Sequence, residues 1–456
     1  MKFRYRNEDE MKDSGVEWIG KIPKEWGIIK IKHLSMIGRG ASPRPIDDDK
    51  FFDEYGEYGW TRISDVTASE KFLLQTQQRM SKLGASFSVK LEPESLFISI
   101  AGSVGKPCVA KIKACIHDGF VYFHDLDKKY IDFLYNIFLI GKCYAGLGKL
   151  GTQLNLNRET IGNIYIPIQQ DETRDKISNF INEKTAQFDT IISKKEALIK
   201  RLEEAKKSLI SEVVTGKVKV VKTQDGYELE ERKKEEMKDS GVEWLENIPK
   251  EWGVTKLKYN LSKIGSGKTP KGGAEVYTDS GVVFIRSQNV YDDGLRLDDV
   301  VFINEEINNQ MNNSRVEFDD VLLNITGGSI GRTSHVYNIG VIANVNQHVC
   351  ILRPITNKIN SILLHGIIQS NVTQLQIQSL QNGSNREGLN FEQIGNILMA
   401  ISKDLKEQEL IVKYIQNSVE NFYILINKVK QQIKMIKEAK QSLISEVVTG
   451  KIEIID

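Results

Sequence analysis

The densest run of chemistry-bearing residues in the 456-residue sequence is Gly265-Ser266-Gly267-Lys268-Thr269, which ends like a phosphate-cradling loop. The full pattern needs glycine at position 262, where Ser262 stands, and no acidic magnesium-holding strand is evident. The matching place nearer the start reads Gly38-Arg39-Gly40-Ala41-Ser42-Pro43, without a lysine, so nucleotide binding is not expected. Glu-x-Lys triplets occur at Glu10 to Lys12, Glu204 to Lys206, Glu236 to Lys238 and Glu438 to Lys440. A nuclease would need acidic metal ligands beside them, and those at Glu204 and Glu438 lie in segments that read as solvated helix faces. The six histidines form no HxxxH or HxH set, so no metal site is expected. No Pro-Pro dipeptide occurs, which removes the Asn-Pro-Pro-aromatic motif of amino-methyltransferases. Cys108, Cys115, Cys143 and Cys350 form no CxxC pair and read as buried thiols of a reducing cytoplasm.

What remains is polar, loop-borne and suited to binding. In the first half the candidates are Arg39, Arg44, Arg62, Lys106, Gln153, Asn155, Asn157 and Arg158. In the second they are Lys268, Lys271, Arg286, Gln288, Asn289, Arg332, Asn346, Gln347, Asn385 and Arg386. Arginine pairs bidentately with guanine in the DNA major groove, and asparagine or glutamine with adenine. Lysine and glycine-rich turns suit phosphate. Each residue taken singly also reads as a solvated loop residue; their gathering in glycine-rich turns of both halves favours DNA. The net charge of +1 and pI of about 7.6 exclude a protein that grips DNA by charge alone, so phosphate contacts must be local or shared with a partner. The opening segment has no apolar core and no run approaches the ~18 apolar residues of a membrane span, so neither a leader nor a membrane partner is expected.

The elements that must position these residues occur twice. MKDSGVEWIGKIPKEWG begins at position 11 and MKDSGVEWLENIPKEWG at position 237, an offset of 226; SLISEVVTGK occurs at 208–217 and 442–451, an offset of 234. Between these anchors the copies diverge, although RISDV (62–66) matches RSQNV (286–290), SLFISIAGSVGK matches DVLLNITGGSIGR, and NLNRETIGNI resembles LNFEQIGNI. Constant ends and a variable middle suit two readers of different targets on one frame. Two repeats of this size exclude solenoids and propellers. Short β-like runs punctuated by glycine predict a twisted, largely antiparallel sheet with a few short helices in each half, among them 130–142 and 359–380.

The last part of each half is different. Residues 411–448 carry Ile415, Val419, Phe422, Ile426, Val429, Ile433, Ile436, Leu443 and Val447 at alternating four- and three-residue steps, interrupted only by Lys440. The first copy holds the same register with Ile181, Thr185, Phe188, Ile192, Lys195, Ile199, Leu202, Lys206, Leu209 and Val213. These are heptad seams. At 1.5 Å per residue each runs roughly 50–65 Å, longer than a domain of about 170 residues is wide, so each seam needs another helix. Gly216 and Gly450 stand as left-handed C-terminal caps. Residues 218–236 return the full helix length only when stretched, whereas antiparallel packing needs no return. The expected architecture is α+β: a mixed α/β recognition domain over 1–168, a spacer helix over 169–217, a linker over 218–236, a second recognition domain over 237–402 and a second helix over 403–451. The helices pack as an antiparallel coiled coil with pseudo-twofold symmetry and separate the domains.

The lead segment SGVEWIGKIPKEWGIIKIK, the GASP and GKTP turns, the RISDV and RSQNV strands, the ISIAGSVGK and NITGGSIGR stretches, LNLNRETIGNI and SLISEVVTGK together resemble the specificity subunits of type I restriction-modification systems. The likeness covers nearly the whole chain. It implies a non-catalytic subunit in which each variable domain recognises one half of a bipartite, asymmetric double-stranded DNA site. It implies helices that fix the spacer and dock two methyltransferase subunits, and restriction and translocase subunits that join through the complex. Adenine-N6 methylation with S-adenosylmethionine, and endonuclease action with ATP and magnesium, then belong to the partners, and this chain needs no cofactor. The GRGASPRP and GSGKTPKG turns differ, which implies different half-sites. Two rival classes are a self-sufficient nuclease or methyltransferase, which lacks a cofactor motif here, and a protein-binding coiled-coil scaffold, which leaves two dissimilar polar loop sets without a purpose.

Overall fold

The four-three spacing of apolar residues becomes two helices of 44 residues each, α1 over Asp171–Val214 and α2 over Leu405–Val448. In the computed structural model, which describes residues 2–147, 156–224, 226–337, 340–381 and 388–455, the shielded residues of α1 between 186 and 208 are Phe188, Ile192, Lys195, Ile199, Leu202 and Lys206; every other one there is exposed. Ile181 and Val213 are buried, and Thr185 and Leu209 half-buried. Between 420 and 442 of α2 the shielded set is Phe422, Ile426, Val429, Ile433, Ile436 and Lys440, with Asn427 the single addition to the expected seam. Ile415 and Val447 are buried, Val419 and Leu443 half-buried. Both seams follow the predicted register.

The chain divides into two compact units, one comprising Met1–Lys195 with Gln431–Asp456 and the other Glu196–Lys430. In the first unit the early part of α1 lies beside the late part of α2: Lys195 Nζ donates to Gln432 Oε1 at 2.8 Å and Lys440 Nζ to Asp189 Oδ1 at 2.6 Å. In the second unit Ile210 and Val214, late in α1, share a core with Ile411, Val412 and Ile415, early in α2. The helices therefore run antiparallel within each unit. Each unit anchors a helix end alike: Lys142 Nζ donates to Ser445 Oγ at 3.1 Å in one, and the Asn371 amide to Ser211 Oγ at 3.3 Å in the other. Gly216 and Gly450 both hold φ of 72°. A Cβ there would lie 2.7 Å from Pro249 and 2.5 Å from Pro23 respectively, so the cap needs glycine for space as well as for conformation.

In the first unit a five-stranded sheet runs in the order Met36–Arg39, Phe120–His124, Ser95–Ser99, Pro107–Ala110, Phe72–Leu73. Its first three pairings are antiparallel and its last is parallel. The second unit has the four-stranded antiparallel order Leu261–Ser266, Val349–Pro354, Val321–Asn324, Thr333–His335. A smaller sheet beside each contains one parallel pair, Tyr58–Thr61 with Ala114–Ile116 and Val282–Ile285 with Ala343–Val345. The sheets are thus largely antiparallel, with parallel pairs that strand-like runs alone do not announce.

Three local readings need correction. RISDV and RSQNV are not strands: the strands end at Thr61 and Ile285, and the motifs turn into a helix over Ile63–Ala68 and a 3-10 turn over Ser287–Asn289. The cause is a side-chain acceptor three residues on, since Asp65 accepts from the Arg62 amide at 2.8 Å and Asn289 from the Arg286 amide at 3.0 Å. The run 359–380 is two helices, Ser361–Gln369 and Asn371–Gln381. Ser370 breaks it, donating its hydroxyl to Ile367 O at 2.7 Å and accepting from the Thr373 amide at 3.3 Å. Residues 218–236 contain an antiparallel hairpin, Val218–Lys222 with Tyr227–Glu231, that lays Val220 into the core of the second unit. The same pairing recurs in the first unit between Lys2–Tyr5 and Ile452–Ile455, with Tyr5 opposite Ile452 as Glu231 is opposite Val218. The helix expected over 130–142 forms over Ile131–Ile140 and ends at Gly141, φ 74°. No described helix is long and apolar enough to cross a membrane. All four cysteines are buried and free, and burial pushes each thiol up, to about 11 for Cys108 and Cys115 and about 12 for Cys143 and Cys350.

Candidate nucleic-acid interface

Each unit builds a polar turn where the first strand of its main sheet ends. In the first unit that strand is Met36–Arg39, and the Gly40 amide bonds Phe120 O at 2.9 Å while the Ala41 amide bonds Ile116 O at 3.1 Å. A Cβ on Gly40 would lie 2.0 Å from the carbonyl oxygen of His117, so only glycine lets the two turns close on each other. Asp118 then gathers the loop. Its carbonyl accepts from Arg39 Nε at 2.7 Å, its Oδ1 accepts from Ser42 Oγ at 3.1 Å, and its Oδ2 lies 3.5 Å from Arg44 Nη2. Burial opposes the Asp118 carboxylate, but the Ser42 hydroxyl and the Arg44 charge outweigh it and hold its pKa below the ordinary value. The two side chains stay 55% and 73% exposed, Arg39 held through its Nε and Arg44 by a long contact from Nη2 alone. That is the disposition a base-reading arginine needs.

The equivalent turn of the second unit is built alike and armed differently. The Gly267 amide bonds Asn346 O at 3.1 Å, and a Cβ on Gly267 would lie 1.6 Å from Val345 O. Lys268 and Lys271 project into solvent. Gln347 stands where Asp118 does and faces His348 at 2.8 Å, Nε2 to Nε2.

The other candidates divide into open and committed groups. Arg62, Asn157, Arg158 and Gln288 are exposed. Arg62 reaches the side chain of Gln78, and Asn157 caps the helix Arg158–Gly162 by accepting from the Glu159 and Thr160 amides at 2.9 Å each. Lys106 spends its ammonium on Thr67 O at 2.9 Å and Ser69 O at 2.7 Å. Asn289 is 1% exposed and donates to Arg296 O at 3.0 Å and Asp299 O at 3.2 Å, so it shapes a loop from within. Asn346 is buried, with Oδ1 accepting from the His348 amide at 3.0 Å. Arg286 is half-buried, 5.8 Å from the Tyr277 ring centre. Gln153, Asn155, Asn385 and Arg386 lie outside the described residues.

A cleft of about 1000 Å³ lies within the second unit, between the helices and the loop that carries Tyr291. Arg332 and Arg296 stand 4.4 and 4.9 Å from the ring centre of Tyr291, and Arg332 Nη2 donates to Ser287 O at 3.1 Å. Lys207 of α1 pairs with Asp292 at 3.0 Å. At its floor His365 is driven down to about 4 by burial, and then by the nearby His335. Sequence reading missed Asp118, Tyr291, Arg296 and Lys207, whose significance comes only from what folds against them. Among the described residues no three His, Cys, Asp or Glu side chains converge as metal ligands. The GSGKT run leads from strand to an exposed loop and a 3-10 turn over Gly273–Val276, without the helix whose N-terminus would cradle phosphate.

Comparison with known proteins fits this paired construction. The family described as type I restriction modification DNA specificity domain matches residues 23–201 and again 249–435. The type I restriction enzyme MjaVIII specificity subunit of Methanocaldococcus jannaschii is 21% identical over 442 residues, covering 95% of this chain and 94% of its own. The MjaIX specificity subunit of the same organism is 23% identical over 313 residues, 67% of this chain and 66% of its own. A solved chain from a study of complex assembly and conformational transition in the type I R-M system shares the fold with a TM-score of 0.62 at 13% identity, over 94% of this chain and 99% of that one.

Proposed function

Since the chain belongs to the type I restriction-modification DNA specificity family, with two recognition domains, we propose that each domain reads one half of a bipartite, asymmetric site in double-stranded DNA. The observation that carries this reading is the pair of like-built turns with unlike side chains, Arg39, Arg44 and Asp118 in one and Lys268, Lys271 and Gln347 in the other. A common frame with exchanged polar groups is what two different base sequences require.

In this reading α1 and α2 set the length of the unread spacer and dock two methyltransferase subunits. S-adenosylmethionine and adenine-N6 methyl transfer belong to those subunits, and ATP-driven translocation and magnesium-dependent cleavage to restriction subunits that join through them. This chain holds none of these cofactors and works in the cytoplasm. The near-zero net charge supports phosphate contacts that are local or shared with the partners.

The test is genome-wide mapping of methylated adenine in cells carrying this subunit and its partners. A single bipartite motif, abolished when the subunit is deleted, is the expected result. Methylation without sequence preference, or methyl transfer by the isolated chain, would exclude the reading.

A further inference from the structure

The two polar turns are closed by the same hydrogen bond made with different chemistry. In the second unit the His348 amide donates to Oδ1 of Asn346 at 3.0 Å. In the first, the Gly119 amide donates to Nδ1 of His117 at 2.8 Å. The correspondence is structural: His117 and Asn346 each follow the strand that pairs in parallel within the smaller sheet, Ala114–Ile116 and Ala343–Val345. Each also lies under the glycine that opens the polar loop, Gly40 or Gly267.

The residue two places on changes with it. A Cβ on Gly119 would lie 2.4 Å from Cε1 of His117 and 2.8 Å from Nδ1, so the imidazole needs glycine there. The smaller asparagine amide of the second unit leaves room for His348. The two copies have thus exchanged a pair of residues together.

An imidazole nitrogen that accepts an amide hydrogen bond carries no proton, so His117 is neutral, with its proton on Nε2. The ring packs 4.6 Å from the Phe120 ring centre and 5.9 Å from that of Trp60. Burial, helped by the charge of Arg62 and opposed by Asp118, holds its pKa below the ordinary histidine value. The charged groups nearby are Asp118, whose Oδ1 lies 3.8 Å from Nδ1, Arg62, and the two arginines that Asp118 gathers. Protonation of Nδ1 removes the acceptor and sets the Nδ1–H against the N–H of Gly119. The turn that carries Asp118 then loses its closing bond.

We propose that His117 is the positioning residue of the first recognition loop, that its neutral ring holds Asp118 and hence Arg39 and Arg44 in reading position, and that reading by the first domain is lost when this ring takes up a proton. This rests on the DNA reading given above for the Arg39–Arg44 loop.

The test uses the chain in complex with its methyltransferase partner and a labelled duplex carrying the site mapped by adenine methylation, titrated from about pH 7.5 to about pH 5 at constant ionic strength. Wild-type affinity falls by about tenfold per pH unit below the ring's own pKa. His117→Asn, which keeps an acceptor for the Gly119 amide but cannot be protonated, loses that added dependence whatever its affinity at neutral pH. If His117→Asn follows the wild-type profile, the positioning role is wrong. If Arg39→Ala with Arg44→Ala leaves affinity unchanged at neutral pH, the loop does not read DNA, and the reading it rests on fails instead. A long-range ¹H–¹⁵N spectrum of the free chain decides the ring chemistry independently. The Nε2–H tautomer at neutral pH is expected, and an Nδ1–H tautomer overturns the proposal whatever the DNA does.

Discussion

Lys440 of α2 holds its ammonium 2.6 and 2.7 Å from the two carboxylate oxygens of Asp189 on α1, a bidentate contact between residues 251 positions apart. Lys440 is the one polar interruption of the second seam, and the pair explains how a cation sits in line with Ile436 and Leu443. Asp189 is 56% exposed, so the pair marks the register of the helices more than it strengthens them. Lys440→Ala is therefore expected to cost less than about 1 kcal/mol. Ile444, one turn on and 1% exposed, shares the core of the first unit with Phe180 and Ile181. Ile444→Ala is expected to cost about 2–5 kcal/mol. Urea midpoints of the two variants check the ranking; equal losses would mean that the ion pair carries the packing.

Removing one heptad from each helix tests the spacer. Residues 196–202 of α1 and 425–431 of α2 are matched by the register that sets Lys195 against Gln432. Their joint deletion keeps the seam in phase and shortens each helix by about 10 Å, or about three base pairs at 3.4 Å each. Methylation mapping should show both half-sites unchanged and the spacer shorter. An altered half-site with an unaltered spacer would refute the ruler.

Asn289 and its neighbour Gln288 should separate shaping from reading. Asn289→Ala leaves the Arg286 amide and the carbonyls of Arg296 and Asp299 without this partner, at a cost of about 1–3 kcal/mol. Thermal unfolding should show a clear loss and the second half-site should weaken with it. Gln288→Ala, at an exposed position, should leave unfolding unchanged and alter only the half-site preference.

The buried His365 makes the second unit sensitive to acid. Its pKa of about 4 lies below the ordinary 6.5 of an unfolded chain. Above pH 6.5 the ring is neutral in both states and has no effect. As pH falls from 6.5 to 4 the unfolded chain takes up the proton first, and stability declines by an amount on the order of 3 kcal/mol, complete below pH 4. Denaturant midpoints at pH 7 and pH 4.5 should diverge for wild type and converge for His365→Gln. Equal sensitivity in the two proteins would place the acid response elsewhere.

The seams were legible in the sequence because helix packing repeats one requirement every three or four residues, and a single exception such as Lys440 does not hide it. The caps at Gly216 and Gly450 were legible because only glycine meets both of their constraints. The break at Ser370 was not, since a serine that turns its hydroxyl on its own backbone looks like any other helix-surface serine. The recognition loops were legible in composition and only partly in role. Arg39 and Arg44 keep more than half of their side chains exposed, while Lys106, Asn289 and Asn346 satisfy neighbouring backbone groups. Residue type says that a side chain can form hydrogen bonds; it does not say whether its own loop has already used them. His117 and Asp118 carried no signal at all until the loop from residue 40 to residue 44 folded onto them.

The pairing of Lys2–Tyr5 with Ile452–Ile455 copies the hairpin of Val218–Lys222 with Tyr227–Glu231 strand for strand. One junction is a hairpin between strands close in sequence and the other is a meeting of two strands more than 440 residues apart. The fold therefore assigns no rank to its halves. A gene that encoded residues 226–455 ahead of residues 2–225, with a short bridge between them, would specify the same molecule.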